Sequence, residues 1–138
     1  MEGKWFAQGA DLTVPLQIRK EVFGTERDAL DDEAQQAVVY IAGRPVGAGR
    51  LWWRDGAFWL SDIGVLPEAR GQGQGDLLVR LMIFKAMTHH GTMLRLLSPT
   101  QTEAFFARYG FEAEGKADGG TLMSLPAQRV CLSHCGCC

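Results

Sequence analysis

Apolar residues recur along this chain at two spacings, and the change from one to the other marks out the elements. Leu16, Ile18, Val22 and Phe23 fall at helical spacing. Asp11 or Thr13 can cap that helix, Pro15 suits its first turn, and Gly24 can interrupt it. Residues 4–9 read as a short first strand, and residues 31–36 are polar enough for a loop or short helix. Residues 37–42, 45–53 and 57–65 carry the β-branched and aromatic residues of strands. Turn signals separate them at Gly43-Arg44 and Asp55-Gly56. At least two of Trp52, Trp53 and Trp59 are expected to pack on this sheet.

Helical spacing returns over residues 76–90, where Leu77, Leu78, Leu81, Phe84 and Met87 or Met82 form one broad face. His89 and His90 are expected in its last turn, where the helix dipole favours them. Residues 92–97 read as a strand and residues 103–109 as a short helix. Thr100 or Thr102 is available to cap that helix, and Gly110 to end it. Residues 111–114 and 121–125 read as a closing hairpin.

A chain of 138 residues with 46% hydrophobic and 22% charged residues suits one domain with a core. A net charge of −2 gives no basic footprint, so neither nucleic acid nor an anionic membrane is expected as a partner. No apolar run has the length of a transmembrane helix. The first twelve residues lack the apolar stretch of a secretion signal, and the expected location is cytoplasmic.

All four cysteines fall within residues 131–138, unlike a distributed disulfide scaffold. The expected organisation is a single domain over residues 1–127 and a Cys-rich tail over residues 128–138. Cys131, His134, Cys135, Cys137 and Cys138 are soft ligands, but the adjacent pair at 137 and 138 suits a closed zinc site poorly. An oxidisable tail is expected, and no metal site is assigned.

The densest candidate chemistry lies between the third long strand and the long helix, in the run VLPEARGQGQG over residues 65–75. Gly71, Gly73 and Gly75 let the backbone take positive φ and admit a ligand closely. The helix that follows offers free N–H groups and the positive end of its dipole, which favour phosphate oxygens. Arg70 adds a forked cation. A Walker A loop is excluded, because Asp76 and Leu77 follow where Lys and Ser or Thr are required. The dinucleotide fingerprint is excluded by the even glycine spacing.

This run resembles the pyrophosphate loop of the GNAT superfamily, the acetyl-CoA-dependent N-acetyltransferases. Its signature, Gln/Arg-x-x-Gly-x-Gly/Ala after Val-x-Pro, is matched by Val65, Pro67, Arg70, Gly73 and Gly75. Arg19 and Val22-Phe23 resemble an Arg-x-x-Val-Phe element in the first helix of many members, a helix that lines the acceptor site there. The run Ala104 to Phe111 resembles the family's Phe-Tyr-x-x-x-Gly-Phe signature. The resemblance implies an α/β fold with a mixed central sheet, mostly antiparallel, flanked by helices. It implies transfer of an acetyl group from acetyl-CoA, as cosubstrate, to an amine of a small molecule or peptide. A non-catalytic acyl-CoA-binding module or sensor on the same fold is the alternative, and a homodimer is left open.

The resemblance also distributes roles. Arg70, Gly71, Gln72, Gly73, Gln74, Gly75 and Asp76 are expected to hold the cofactor pyrophosphate. Main-chain groups of Ile63, Gly64 and Val65 are expected to polarise the thioester carbonyl. The family's usual acid is the Tyr of the second signature, and here that position is Phe106. Tyr109, three residues later, is the remaining phenol for the part. Asp62 is the candidate base or amine-binding anion, with Glu26 as second candidate. On an alternating strand Asp62 points away from Ser61 and Ile63.

Overall fold

The computed structural model of the chain describes residues 1–130. Its strands are β1 (Glu2–Phe6), β2 (Gln35–Ile41), β3 (Arg44–Arg54), β4 (Ala57–Val65), β5 (Met93–Ser98), β6 (Glu112–Ala117) and β7 (Gly120–Pro126). They form one sheet in the order β1-β2-β3-β4-β5-β7-β6. All neighbouring pairs are antiparallel except β4 and β5. Helices α1 (Thr13–Phe23), α2 (Gln74–Thr88) and α3 (Glu103–Ala107) flank it. This is the mixed, mostly antiparallel architecture expected from the chain.

Local chemistry sets the connections. The β2–β3 and β3–β4 turns place Ala42-Gly43 and Asp55-Gly56 at positive φ, the geometry that matches the twist of a tight hairpin. Parallel β4 and β5 need a long crossover, and α2 supplies it. That helix buries Leu78, Val79, Met82, Ile83 and Ala86 in the main core, beside Ala37 and Val39 of β2. Val38 points the other way and joins Ile18 of α1, Ala48 and Leu66 in a second cluster. Because side chains alternate along β2, the two helices lie on opposite faces of the sheet.

Several boundaries move from their expected places: β1 spans Glu2–Phe6 rather than residues 4–9, and α2 begins at Gln74 rather than Asp76. Helix α2 ends at Thr88, so His89 and His90 lie in the turn that follows, with His90 at φ 62. Helix α3 ends at Ala107, because Tyr109 and Gly110 donate three residues back, to Phe106 (3.1 Å) and Ala107 (3.0 Å), in tightened turns. The last hairpin turns at Asp118-Gly119, with an irregularity between Ala113 and Gly115 that lets β6 run on to Ala117. The tryptophans do pack on the sheet. Trp52 and Trp59 stack at 5.4 Å, and Trp53 meets Phe58 edge-on at 4.9 Å. Among the described residues no helix is long and apolar enough to cross a membrane.

Packing continues past the boundary expected at residue 127. Residues Ala127–Arg129 form a tight turn, and Val130 packs against the main core. Arg129 donates to the carbonyls of Gly110 (3.2 Å) and Ser124 (3.3 Å). The Cys-rich segment from residue 131 onward lies outside the described residues. The comparison that isolates residues 128–130 is between a chain ending at Val130 and one ending at Ala127. A chain ending at Ala127 should melt roughly 3–6 °C lower, as expected for a loss of about 1 kcal/mol in a domain of this size. Equal melting temperatures for the two truncations would show that Arg129 and Val130 contribute nothing.

Candidate functional site

Strands β4 and β5 are neighbours for only three residue pairs, Phe58–Leu94, Trp59–Arg95 and Leu60–Leu96. Beyond Leu60, β4 continues to Val65 without a β5 partner, and beyond Leu96, β5 continues to Ser98. The two strands splay, and a cleft of about 930 Å³ opens between them. Its lining includes β4 from Leu60 to Val65 and, from the β5 side, Leu96, Leu97 and Pro99. Val22 and Phe23 of α1 and Phe105 and Phe106 of α3 add apolar surface. Beyond Leu60 the β4 edge has no strand partner on the β5 side, in the place where a ligand can pair with its main chain.

The glycine loop forms the mouth of this cleft. Gly71 and Gly73 take φ of 86° and 88°, which few side-chain-bearing residues adopt. A Cβ built on either would meet no protein atom within 4 Å, although both line the cleft. Gly73 stands at the N-cap of α2 with no side chain to cap it. The first-turn N–H groups of Gln74, Gly75 and Asp76 are thus left to a ligand. Gly75 lies within the helix rather than at positive φ, and its surface faces Phe105.

Gln74 is turned inward and braces the loop. Its side-chain amide donates to the Ala69 carbonyl and accepts from the Gln72 N–H (3.1 Å). Gln72 consequently has its N–H satisfied and does not line the cleft. Arg70 does, with its Nε held by the Val65 carbonyl at 2.9 Å. An open, side-chain-free cradle, an uncapped helix and an arginine fit a diphosphate.

Further up β4 the strand is bulged. Ala48 faces Gly64 and Arg50 faces Ser61, so two steps on β3 match three on β4. Asp62 occupies the extra position at φ 52, a left-handed conformation that Asp tolerates better than most residues. The simple alternation expected for Asp62 is broken there. Its carboxylate lines the cleft and meets Arg50, which donates through Nε (2.8 Å) and a terminal nitrogen to the same oxygen, Oδ2. The other oxygen, Oδ1, has no protein partner among the described residues.

Arg50 is the end of a longer ionic chain. It also donates to Asp28 (2.7 Å) and reaches Asp31 (3.4 Å). Asp31 is held from the far side by both terminal nitrogens of Arg19, at 2.8 and 2.6 Å, and by Gln36 at 2.6 Å. Arg19, Asp31, Gln36 and Arg50 are all buried. Burial alone would raise the Asp31 pKa. The bonds from Arg19, the Asp28 N–H and Gln36 outweigh it and hold the carboxyl well below the usual carboxylate range. Arg19 thus belongs to this network rather than to the cleft lining, and Glu26 accepts Lys20 at 3.1 Å on the surface.

Tyr109 sits behind the loop. It is buried, does not line the cleft, and donates its hydroxyl to Asp76 in the first turn of α2. Burial and the neighbouring carboxylate push its pKa up. For Asp76, burial opposes ionisation. The Tyr109 hydroxyl and Arg80 (2.9 Å) prevail and lower its pKa. Phe106, by contrast, does line the cleft.

The structure therefore gathers Asp62, Ile63, Gly64, Val65, Arg70, Gly71, Gly73, Gln74, Gly75 and Asp76 around one cleft, and leaves Gln72 and Tyr109 outside its lining. Leu97, Phe105 and Arg108 line it and were not anticipated. Arg50 was not anticipated either. Only the bulge and the distant turn that carries Asp28 and Asp31 bring its partners together.

A central sheet splayed at its one parallel pair, with a bare helix N-terminus at the mouth, defines an α/β protein built to seat a ligand at the splay. Residues 33–113 match the family model described as "Acetyltransferase (GNAT) domain". An uncharacterized N-acetyltransferase of Bacillus subtilis (strain 168), YjcF, is 31% identical over 102 residues, covering 68% of this chain and 73% of that one. An acyl-CoA N-acyltransferase from Pseudomonas aeruginosa superposes with a TM-score of 0.77 at 25% identity, over 89% of this chain and 99% of that one. A GNAT family acetyltransferase from Elizabethkingia anophelis, solved with acetyl-CoA bound, does so with a TM-score of 0.72 at 14% identity, over 91% and 97%. The chain belongs to the GNAT acetyltransferase family.

Proposed function

We propose that the chain transfers an acetyl group from acetyl-CoA to an amine of a small molecule or peptide. The observation that carries this reading is the union, in one cleft, of an uncapped α2 N-terminus with a β4 edge that has no β5 partner. The first-turn N–H groups of α2 and Arg70 hold the diphosphate. Main-chain groups of Ile63, Gly64 and Val65 meet the acyl portion, where an N–H stabilises charge developing on the carbonyl oxygen. Acetyl-CoA supplies the activated thioester. Asp62 Oδ1 anchors the incoming amine and takes its proton, directly or through water, as the N–C bond forms. The C–S bond breaks, and the thiolate takes a proton from solvent.

Asp62→Asn tests the assignment. It should lower kcat/KM about 10²- to 10⁴-fold, the range for a positioned base, with acetyl-CoA affinity unchanged by calorimetry. An unchanged kcat/KM would remove Asp62 from the chemistry.

A non-catalytic acyl-CoA-binding module is the second reading, favoured by Phe106 in the cleft and by the engagement of the Tyr109 hydroxyl with Asp76. Thiol release from acetyl-CoA with a panel of amines separates the two, because a module binds acetyl-CoA and releases none. Under the enzyme reading, Phe106→Tyr puts a phenol in the cleft and should raise kcat by about tenfold where thiolate departure limits the rate. Tyr109→Phe should act on stability instead, by about 1.5–3 kcal/mol, through loss of a bond to a charged acceptor. The reverse pattern in kinetics and melts would make Tyr109 the acid.

A further inference from the structure

The cleft is electrically divided. Its two lining cations, Arg70 and Arg108, belong to the glycine loop and to the end of α3, and Arg108 approaches Asp76 (3.9 Å). The Asp62 end has the opposite sign. Two guanidinium groups, Arg19 and Arg50, there face three carboxylates, Asp28, Asp31 and Asp62. Both guanidiniums are buried and fully engaged by those carboxylates, so neither is available to a ligand anion. Among the described residues Asp62 Oδ1 has no protein partner, and Asp62 is the member of the network that lines the cleft.

The same cleft carries apolar surface that is left exposed among the described residues. Phe23 is 46% exposed and Leu97 43% exposed, and both line the cleft. Phe23 lies over Gly64, where a built Cβ would come within 2.8 Å of its ring. Leu97 comes from β5, on the other side of the splay. Large apolar side chains left open in the same cleft as the Asp62 carboxylate describe a site for a cation on an apolar stem.

We propose that the acceptor is a primary amine carried on an apolar body, with no carboxylate beside the nitrogen. This rests on the acyltransferase reading above. The ammonium is drawn to Asp62 Oδ1 and gives up one proton to solvent to expose its lone pair before attack, and the body lies against Phe23 and Leu97. A carboxylate next to the amine would face Asp62 across a few ångströms, while the cleft's lining cations among the described residues, Arg70 and Arg108, stand at the glycine-loop end, and like charges so placed are strongly disfavoured. A short polar amine would satisfy Asp62 but leave the apolar walls wet.

The test compares 2-phenylethylamine, phenylalanine and ethanolamine. Acetyl-CoA binding is first measured by calorimetry. Each amine is then titrated into protein saturated with CoA, and turnover is followed as free thiol. kcat/KM for 2-phenylethylamine should exceed that for phenylalanine by about 100-fold and that for ethanolamine by about 10- to 100-fold. Leu97→Ser should lower kcat/KM with 2-phenylethylamine by a larger factor than kcat/KM with ethanolamine. Asp62→Asn should shrink the gap between 2-phenylethylamine and phenylalanine in the binding titration.

Phenylalanine binding as well as 2-phenylethylamine would overturn the charge argument, and ethanolamine doing so would overturn the apolar one. A protein that binds acetyl-CoA but none of the three amines would overturn the acceptor class and leave the acyl-CoA site standing. Failure to bind acetyl-CoA would instead remove the acyltransferase reading, and this inference with it.

Discussion

A chain carrying Gly73→Val should fold and lose acetyl-CoA binding by at least about 100-fold. The loss follows from where the new carbons go. Gly73 lines the cleft, and a Cβ there meets no protein atom within 4 Å, so the space it enters is the space left for a ligand. Breaking two charge-assisted hydrogen bonds between phosphate and the helix N-terminus, each about 1.5–3 kcal/mol, is enough for that factor. Valine must also adopt φ 88, at a cost of about 1–3 kcal/mol. That strain needs its own control, and Gly43 provides one. It stands at φ 81 in the β2–β3 turn, with nothing within 4 Å of a built Cβ, and does not line the cleft. Gly43→Val should melt lower by a comparable amount and bind acetyl-CoA normally. Normal affinity in a folded Gly73→Val chain would move the diphosphate away from the loop. Loss of affinity in both variants would make the effect one of strain.

The loop was legible because its chemistry is contiguous. Strand, proline, arginine, glycines and helix follow one another in residues 65–75, and the phosphate argument needs only neighbours. The hairpins were legible for the same reason, since Asp55-Gly56 sets its turn locally. What escaped were features that exist only between distant segments. Asp62 reads as an ordinary member of an alternating strand, and nothing in its neighbours marks the bulge that turns it to φ 52. The bulge is a mismatch of register against β3, so it belongs to the pair of strands and not to either sequence. Arg50 likewise reads as one strand residue among several, while its partners sit 12, 19 and 22 positions away. Gln74 reads as one more residue of the phosphate loop, and nothing in its neighbours shows that its side chain closes the loop from within. A buried amide and an exposed one look alike until the turn of the backbone is known.

Removing Asp31 should cost about 3–5 kcal/mol, the range found when one member of a buried ion pair is deleted. Asp31→Ala leaves Arg19, 3% exposed, without its bidentate partner and Gln36 without its acceptor. It also strips the Asp28 N–H of its bond (2.8 Å), which anchors the turn that carries Asp28 toward Arg50. Such a loss is a large share of a typical domain's 5–15 kcal/mol. The pH dependence gives the effect a signature. The Asp31 pKa is lowered in the folded chain, so the unfolded chain binds its proton first as pH falls. Its contribution is complete above the unfolded value near about 4 and is lost progressively as pH drops through the folded one. Denaturant melts of the wild type should therefore weaken from about pH 5 downward, and Asp31→Asn should flatten that slope while starting from lower stability. Combining Arg19→Met with Asp31→Leu should cost less than the two single changes summed, because the orphaned guanidinium is gone. It should not restore the wild type, since Arg50 and Gln36 still lose their partner. Additive costs in that cycle, or an acid slope unchanged in Asp31→Asn, would show that the network contributes no coupling. Asp62 would then be held by Arg50 alone.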